Sequence, residues 1–376
     1  MRIFKLDFKI PKKSRIAILD FPGANLIQRT LNINNIPIIS LRAVKINLLI
    51  LILSIFENQN LTKGQKYIVS FIKFVRPKMI ISHIDNNQFF YNLKKIFPEI
   101  IFIFIQNGTS LADYSKKEIK KLNWKADYFF SYSKSFSEIY NSIFNIQTHT
   151  IGSFKNNLKT RKKKIKKKDL VYISQFTKSN FPNEKIKSGR KFYSRETFFK
   201  AERVLLPIIH KFCLNNNLNL IIAGRNFFKI DSTSEEKFYK DIIFKKGELK
   251  TNFIFKHIQD EFSSYDLMDQ SKLVVFIDSA LGYQSLARKN KSFACCLRSA
   301  FLKNENLKFG WPLKLKNEGD FWINYFDKKK IENKLEFLFN LPQSKWKKIY
   351  HKQKNKLVIF DSDNLTFKKI VRKLLN

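Results

Sequence analysis

The sequence predicts an α/β protein of two Rossmann-like lobes with a central cleft and a helical tail at its C-terminus. Three observations lead there. A chain of 376 residues exceeds one ordinary core and suits two domains of somewhat under 200 residues each. Short apolar runs alternate with amphipathic stretches, the pattern of parallel strands covered on both faces by helices. That rhythm is interrupted at "KTRKKKIKKK" (159–168), which holds eight basic residues and no acidic one, and then begins again. Like charges repel, so this segment reads as a solvated linker, with contact to a phosphate or lipid headgroup as its other use.

In the first half, "RIAILDF" (15–21) reads as a strand, "GANLIQRTLNIN" as turn and helix, and "IPIISLR" (36–42) as a second strand. "MIISHID" (79–85), "IIFIFIQNG" (100–108) and "ADYFFSYS" (126–133) follow, each leading into a polar or helical segment. Beyond the linker, "LVYISQF" (170–176) is strand-like. "SRETFFKAERVLLPIIHKFCLNNN" (194–217) starts on a capping serine and keeps helical spacing, and "LNLIIAGR" (218–225) is a strand ending in a glycine turn. "TNFIFKH", "KLVVFID" and "SFACCL" supply three more strands, and the chain from about Lys329 onward reads as helices. The expected boundaries are an N-terminal lobe over 1–158, the linker over 159–168, a C-terminal lobe over 169–342 and a C-terminal helix over 343–376. In open sheets of this kind ligands sit beyond the carboxyl ends of the strands, so the loops there carry the candidate chemistry.

Composition narrows the classes. With 44% hydrophobic residues and 39 phenylalanines, the chain is not a disordered one. Cys213, Cys295 and Cys296 form no CxxC, and the histidines at 83, 149, 210, 257 and 351 fall in no HExxH or zinc spacing. A reduced cytoplasmic setting with no metal and no cofactor is the expectation. "INLLILILSIF" (46–56) is about half of the roughly 20 residues a spanning helix needs, and reads as a buried core element. Met1 to Lys13 lacks the apolar core of a secretory leader. A net charge of +40 accompanies abundant Lys, Asn, Ile and Phe, the composition of an AT-rich coding sequence. Its physical uses are attraction to nucleotide phosphates, anionic membrane surfaces or nucleic acid.

The stretch with most to offer is "LVVFIDSALGYQSLARKNKSFACCLR" (273–298). A strand delivers Asp278 and Ser279 to the sheet edge, Ala280, Leu281 and Gly282 turn, and a helix begins at Tyr283 and Gln284. Free amides at a helix start, the positive end of its dipole and a glycine make an anion site, with Ser279 as hydroxyl donor; the plainer alternative is Ser279 as a helix cap. No GxxxxGK[ST] and no GxGxxG occurs among the ten glycines, which removes P-loop and dinucleotide signatures. At the other strand ends stand Ser174 and Gln175, then Arg225 with its fixed fork of donors. Tyr265 is placed to meet a base or simply to pack, and Arg298 to meet a phosphate or carboxylate or to lie on the surface. In the first lobe, Asp85 is a candidate nucleophile or base, or else the cap of a helix beginning near Asn86. Asn86, Asn87, Gln106, Asn107 and Gly108 suit sugar hydroxyls or a turn.

The run "SSYDLMDQSKLVVFIDSALGYQSLARKNKSFACCLR" with the later "FGWPLKLKNEGDFWINYFD" resembles the bacterial surface-carbohydrate (O-antigen) biosynthesis family, whose pattern is an Asp-Ser-Thr-Leu-Gly-Tyr-Glu turn and a Phe-Gly-Trp-Pro. "ISHIDNNQFFYNL", "FIQNG" and "IGSFKNN" extend the resemblance weakly into the first lobe. Members are similar to two-lobed GT-B glycosyltransferases and, more distantly, to retaining transferases of 3-deoxy-octulosonic acid that use a CMP-linked donor. The resemblance implies a metal-independent transferase taking a nucleotide sugar in the C-terminal lobe and a lipid-linked glycan at the N-terminal lobe, in peripheral contact with the anionic inner face of the cytoplasmic membrane. The sequence departs from the pattern at Ala280, in place of Thr, and at Gln284, in place of Glu, an acid that commonly binds nucleotide ribose. Both departures bear on donor affinity and identity. Two other classes stay open: a CDP-polyol phosphotransferase of the teichoic-acid type, which would want paired histidines, and a basic nucleic-acid binder. No specific nucleic-acid motif is legible.

Overall fold

The computed structural model describes residues 5–40, 45–108, 116–160, 168–178, 185–188, 191–226, 229–244, 251–353 and 357–376. Most of the basic segment 159–168 lies outside them. The chain divides into two compact units: Met1–Leu111, Ser115–Leu158 and Ile359–Asn376 form the first, and Ala112–Tyr114 with Lys159–Val358 the second.

The strands of unit 1 are β1 (Lys5–Asp7), β2 (Ile16–Leu19), β3 (Ile38–Ile39), β4 (Lys45–Asn47), β5 (Met79–Ser82), β6 (Ile101–Ile105), β7 (Tyr128–Ser131) and β8 (Gln147–Thr150). Six of them make one parallel sheet in the order β3-β2-β5-β6-β7-β8, while β1 and β4 pair separately. Every residue of β2 and β5 is buried, which is why these strands read as unbroken apolar runs rather than alternating ones. The order reverses between β2 and β5, so their carboxyl ends mark the switch point of this sheet. Helix Lys63–Val75 begins at a capping box, Thr62 with Gln65.

Unit 2 holds β9 (Lys168–Ile173), β10 (Lys185–Ser188), β11 (Lys191–Ser194), β12 (Leu220–Ala223), β13 (Phe253–Lys256), β14 (Ser271–Phe276), β15 (Ser292–Cys295), β16 (Glu318–Gly319) and β17 (Trp322–Ile323). Its seven-stranded sheet runs β13-β12-β9-β14-β15-β17-β16, parallel except at β16, and β10 with β11 is a separate hairpin. Here the reversal falls between β9 and β14. Both units are thus Rossmann-like, the two-lobed GT-B plan.

The stretch 343–376 contains two helices with different destinations. Gln343–His351 belongs to unit 2, where Trp346 is fully buried. Leu365–Leu375 returns to unit 1, with Phe367 and Val371 in its core and Phe367 edge-on to Phe130 and Phe154, ring centroids 5.0 Å apart in both cases. Asn364 fixes the return: its amide donates to the Phe154 carbonyl (2.9 Å) and accepts from Asn157 Nδ2 (2.7 Å).

One expectation is overturned. The apolar run 46–56 is not a core element: within helix Leu48–Leu53 only Ile50 is buried, and Leu51, Ile52, Leu53, Ile55 and Phe56 are exposed. Hydrophobicity alone is a one-way indicator of burial. Among the described residues no helix is long and apolar enough to cross a membrane.

Candidate functional site

In unit 2 the helix after β14 begins three residues earlier than expected, so that Ala280, Leu281 and Gly282 form its first turn rather than a bend before it. Ser279 is the N-cap of helix Ala280–Ala287, its Oγ accepting from the Leu281 amide (3.3 Å), while the Gly282 amide donates to the Ser279 carbonyl (2.9 Å). Ser279 therefore does act as the cap, and two of the first amides are already engaged. Gly282 is buried, and a Cβ built on it would overlap the Phe276 ring. Its absence of side chain lets the helix close down on β14. Gly282→Ala is therefore expected to cost about 1–3 kcal/mol through overpacking, read as a lower urea midpoint, and Phe276→Leu in the same chain should recover part of it. A neutral Gly282→Ala would mean that the ring moves aside freely.

Around this turn the polar side chains form one connected set. Arg298, 2% exposed, is taken up inside the fold rather than lying on the surface. Its guanidinium bonds Asp278 and Glu202 and donates to Gln175 Oε1 (3.0 Å) and the Phe198 carbonyl (3.3 Å), with Phe198 packed on its face. Gln175 Oε1 also accepts from the Asp278 amide (3.3 Å), which ties the ends of β9 and β14 together at the switch point. Burial pushes the Glu202 carboxyl up to about 7 against the pull of Arg298. Burial works to lower the Arg298 pKa, but Asp278 and Glu202 outweigh it and hold the group above its ordinary value.

Gln284 and Tyr265 satisfy each other: both are buried, and the Tyr265 hydroxyl donates to Gln284 Oε1 (2.6 Å). Tyr283 stacks on Phe309, with centroids 5.3 Å apart, and its hydroxyl accepts from the Gly310 amide (2.8 Å), which pins the Phe-Gly-Trp-Pro segment to this helix. Ser174 is buried, bonded to Glu235 and to the Tyr239 hydroxyl (2.8 Å). Glu235, fully buried, also accepts from the Arg225 amide (2.9 Å) and from the Asn226 amide and side chain. That carboxylate holds the loop after β12 so that Arg225 stands exposed. Glu202, Glu235 and Tyr239 were not among the sequence candidates. The signal for the last two was the i, i+4 pair in "SEEKFYK", which sets both on one helix face.

In unit 1, Asp85 lies three residues beyond β5 and is buried, its carbonyl accepting from the Tyr91 hydroxyl (3.1 Å). It is not the helix cap. Asn87 caps Gln88–Ile96 by accepting from the Phe89 amide (3.0 Å), and Asn86 is exposed. Gln106 serves the backbone: it donates to the Gly108 carbonyl (2.6 Å) and accepts from the Tyr132 amide (2.7 Å), leaving Asn107 exposed between them. Two residues on the same carboxyl edge escaped sequence reasoning. Asp20, with φ 71°, accepts from Ser40 Oγ (2.5 Å) and from the Phe21 amide (2.9 Å). His83 packs against Gly23, and burial, then the charge of Lys155, lower its imidazole to about 4, so it is neutral. Among the described residues no group of three or more His, Cys, Asp or Glu could hold a metal ion.

Comparison with known proteins adds to this geometry. No curated protein matches the chain in sequence. Solved structures of similar fold include MnaA of S. aureus with UDP, at TM-score 0.53 and 12% identity over 95% of this chain and 94% of that one. UDP-GlcNAc 2-epimerase from Neisseria meningitidis bound to UDP-GlcNAc aligns at TM-score 0.52 and 12% identity, covering 95% of this chain and 99% of the other. A variant of the wall teichoic acid polymerase TagF aligns at 0.52 and 12%, over 98% and 90%. At such identities the likeness is one of fold. The family described as "putative O-antigen biosynthesis protein" matches residues 103–375. Spanning well over half of the sequence, that match makes the chain a member of the O-antigen biosynthesis protein family.

Proposed function

We propose that the protein is a glycosyltransferase that moves a sugar from a nucleotide donor, CMP-linked being the first to try, to a lipid-linked surface glycan at the cytoplasmic face of the membrane. One observation carries the reading: the Asp278-Ser279 turn opens a helix at the switch point of the unit 2 sheet, braced to Gln175 by Arg298. This is the place where open parallel sheets take nucleotides, and the UDP and UDP-GlcNAc in the titles of fold neighbours support a nucleotide-sugar ligand.

In this proposal Ser279 and the turn meet the donor phosphates, and exposed Arg225 neutralises the leaving nucleotide. Arg298, Ser174 and Gln284 act as positioning residues, since their polar atoms are engaged inside the fold. Tyr265 and Tyr283 likewise shape the pocket wall. Asn86 and Asn107 offer exposed amides to acceptor hydroxyls. The bond between the anomeric carbon and the phosphate oxygen breaks with its electron pair leaving on the nucleotide. The acceptor oxygen bonds to that carbon, and its proton passes to the Asp85 carboxylate. No metal is required, because side chains and the helix dipole carry the charge.

The test is thermal unfolding with CMP, CDP, UDP and GDP, followed by product analysis with the sugar-linked form of whichever binds. Ligand at a hundred times its Kd adds about 2.7 kcal/mol to stability, a clear rise in midpoint. Glycosidic product supports the proposal. A phosphodiester made from a CDP-polyol replaces it with phosphotransfer, and no midpoint change with any nucleotide removes it.

A further inference from the structure

The overturned stretch 46–56 points to a surface with a use of its own. Ile55 is 67% exposed and Phe56 82%, at the tip of a six-residue helix and a single 3-10 turn. The N-terminal segment, tied to the start of that helix, presents Phe8 and Ile10, 74% and 72% exposed. Exposing so many large side chains on two connected segments is costly in water and marks an interaction site. The surface is built rather than frayed. Asn47 accepts from the Ile50 amide to cap the helix, and its Nδ2 donates to the Lys9 carbonyl (2.6 Å), which ties the strip carrying Phe8 and Ile10 to the helix start. Ser54 Oγ donates back to the Leu51 carbonyl (2.6 Å), and Glu57 pairs with Lys73 (2.7 Å) at the far end.

Cations surround the apolar tip. Leu53 and Phe56 line a groove of about 400 Å³ together with Lys13, Lys73 and Arg76. A second groove, of about 510 Å³, sets Ile10 beside Lys9 and Lys12. Over residues 1–13 and 45–78 the sequence carries eleven basic side chains and two acidic ones.

We propose that this surface of unit 1 docks on an anionic lipid bilayer, with Ile55, Phe56, Phe8 and Ile10 entering the boundary between headgroups and chains and the surrounding lysines and Arg76 meeting lipid phosphates. An apolar face with a cationic rim is what a peripheral protein needs for that boundary. A second copy of the chain fits worse, because a symmetric contact would bring the two cationic rims together. The docking gives a membrane location to the lipid-linked acceptor and in that sense rests on the proposed transfer, but its test needs no donor.

Full-length protein is floated with vesicles of phosphatidylcholine alone and of phosphatidylcholine with phosphatidylglycerol. The expected result is recovery with the anionic vesicles, lowered roughly tenfold or more by the double change Ile55→Glu, Phe56→Glu. Lys12→Gln with Lys13→Gln should lower it several-fold and make its loss with salt shallower, because fewer charges remain to be screened. Phe56→Trp should show an emission shift to the blue on the same vesicles. All these side chains are exposed, and unchanged thermal midpoints confirm folding. Equal flotation of wild type and the Ile55, Phe56 variant would reduce the effect to charge alone and overturn the proposal. So would no flotation, or a dimer in sedimentation that the variant dissociates while vesicles bind neither form. Flotation without any sugar transfer keeps the docking and removes the transferase reading, whereas transfer to a water-soluble acceptor without flotation does the reverse.

Discussion

Asp85→Asn is expected to lower the transfer rate by about a thousandfold and to leave the fold intact. The reason lies in what the substitution keeps. Asparagine has the same shape, and the bond from the Tyr91 hydroxyl runs to the backbone carbonyl of residue 85, not to its side chain. Tyr91 is itself held between Phe104 and Trp124, with ring centroids 4.1 and 4.3 Å away. The loop after β5 therefore keeps its anchor, and the lost element is a carboxylate able to take a proton. The measurement is kcat and KM with the donor identified by the nucleotide panel, alongside thermal unfolding. A fall in kcat at unchanged midpoint supports a catalytic carboxylate; activity within a few-fold of wild type would return Asp85 to a purely structural part.

The architecture was legible where its physics is local. Strands β5 and β6 lie inside the apolar runs at 79–85 and 100–108, and β14 matches the run at 272–278 but for its first residue, Ser271, because strands buried on both faces are largely apolar. The hairpin β10–β11 was not, since "KIKS" and "KFYS" are mostly exposed and carry no such pattern. Nor was the exposed helix at 48–53: composition reports what a segment would prefer, not whether a neighbour is there to cover it. The same division applies to the site. The turn at Asp278-Ser279 and its cap follow from adjacent residues, so sequence reading reached them. What Gly282 meets and what Arg298 binds depend on the packed structure. Glu202 and Asp278 stand 96 and 20 residues away from Arg298 in the chain, and nothing in their spacing announces that they converge.

That convergence sets the second large effect. Arg298→Ala is expected to destabilise the protein by roughly 3–5 kcal/mol, the cost of leaving buried charge without its partner. Glu202 is fully buried, and its second carboxylate oxygen finds no hydrogen-bond partner among the described residues, so Arg298 is its principal compensation. The pH dependence follows with a definite sign. Burial raises the Glu202 carboxyl to about 7 in the folded chain, above its unfolded value. The folded state therefore binds the extra proton between the two values, and the stability it contributes is fully present at low pH and lost as pH rises through about 7. Removing Arg298 takes away the force that favours the ionised form, which raises the folded pKa further and widens that window. In urea titrations at pH 5 and pH 8, Arg298→Ala should thus be milder at pH 5, where Glu202 is protonated and needs no partner. Glu202→Gln in the same background should remove the difference between the two pH values. A loss under about 0.5 kcal/mol at both, the range of an ordinary surface change, would show that the triad does not brace the turn, and the positioning part given to Arg298 would go with it.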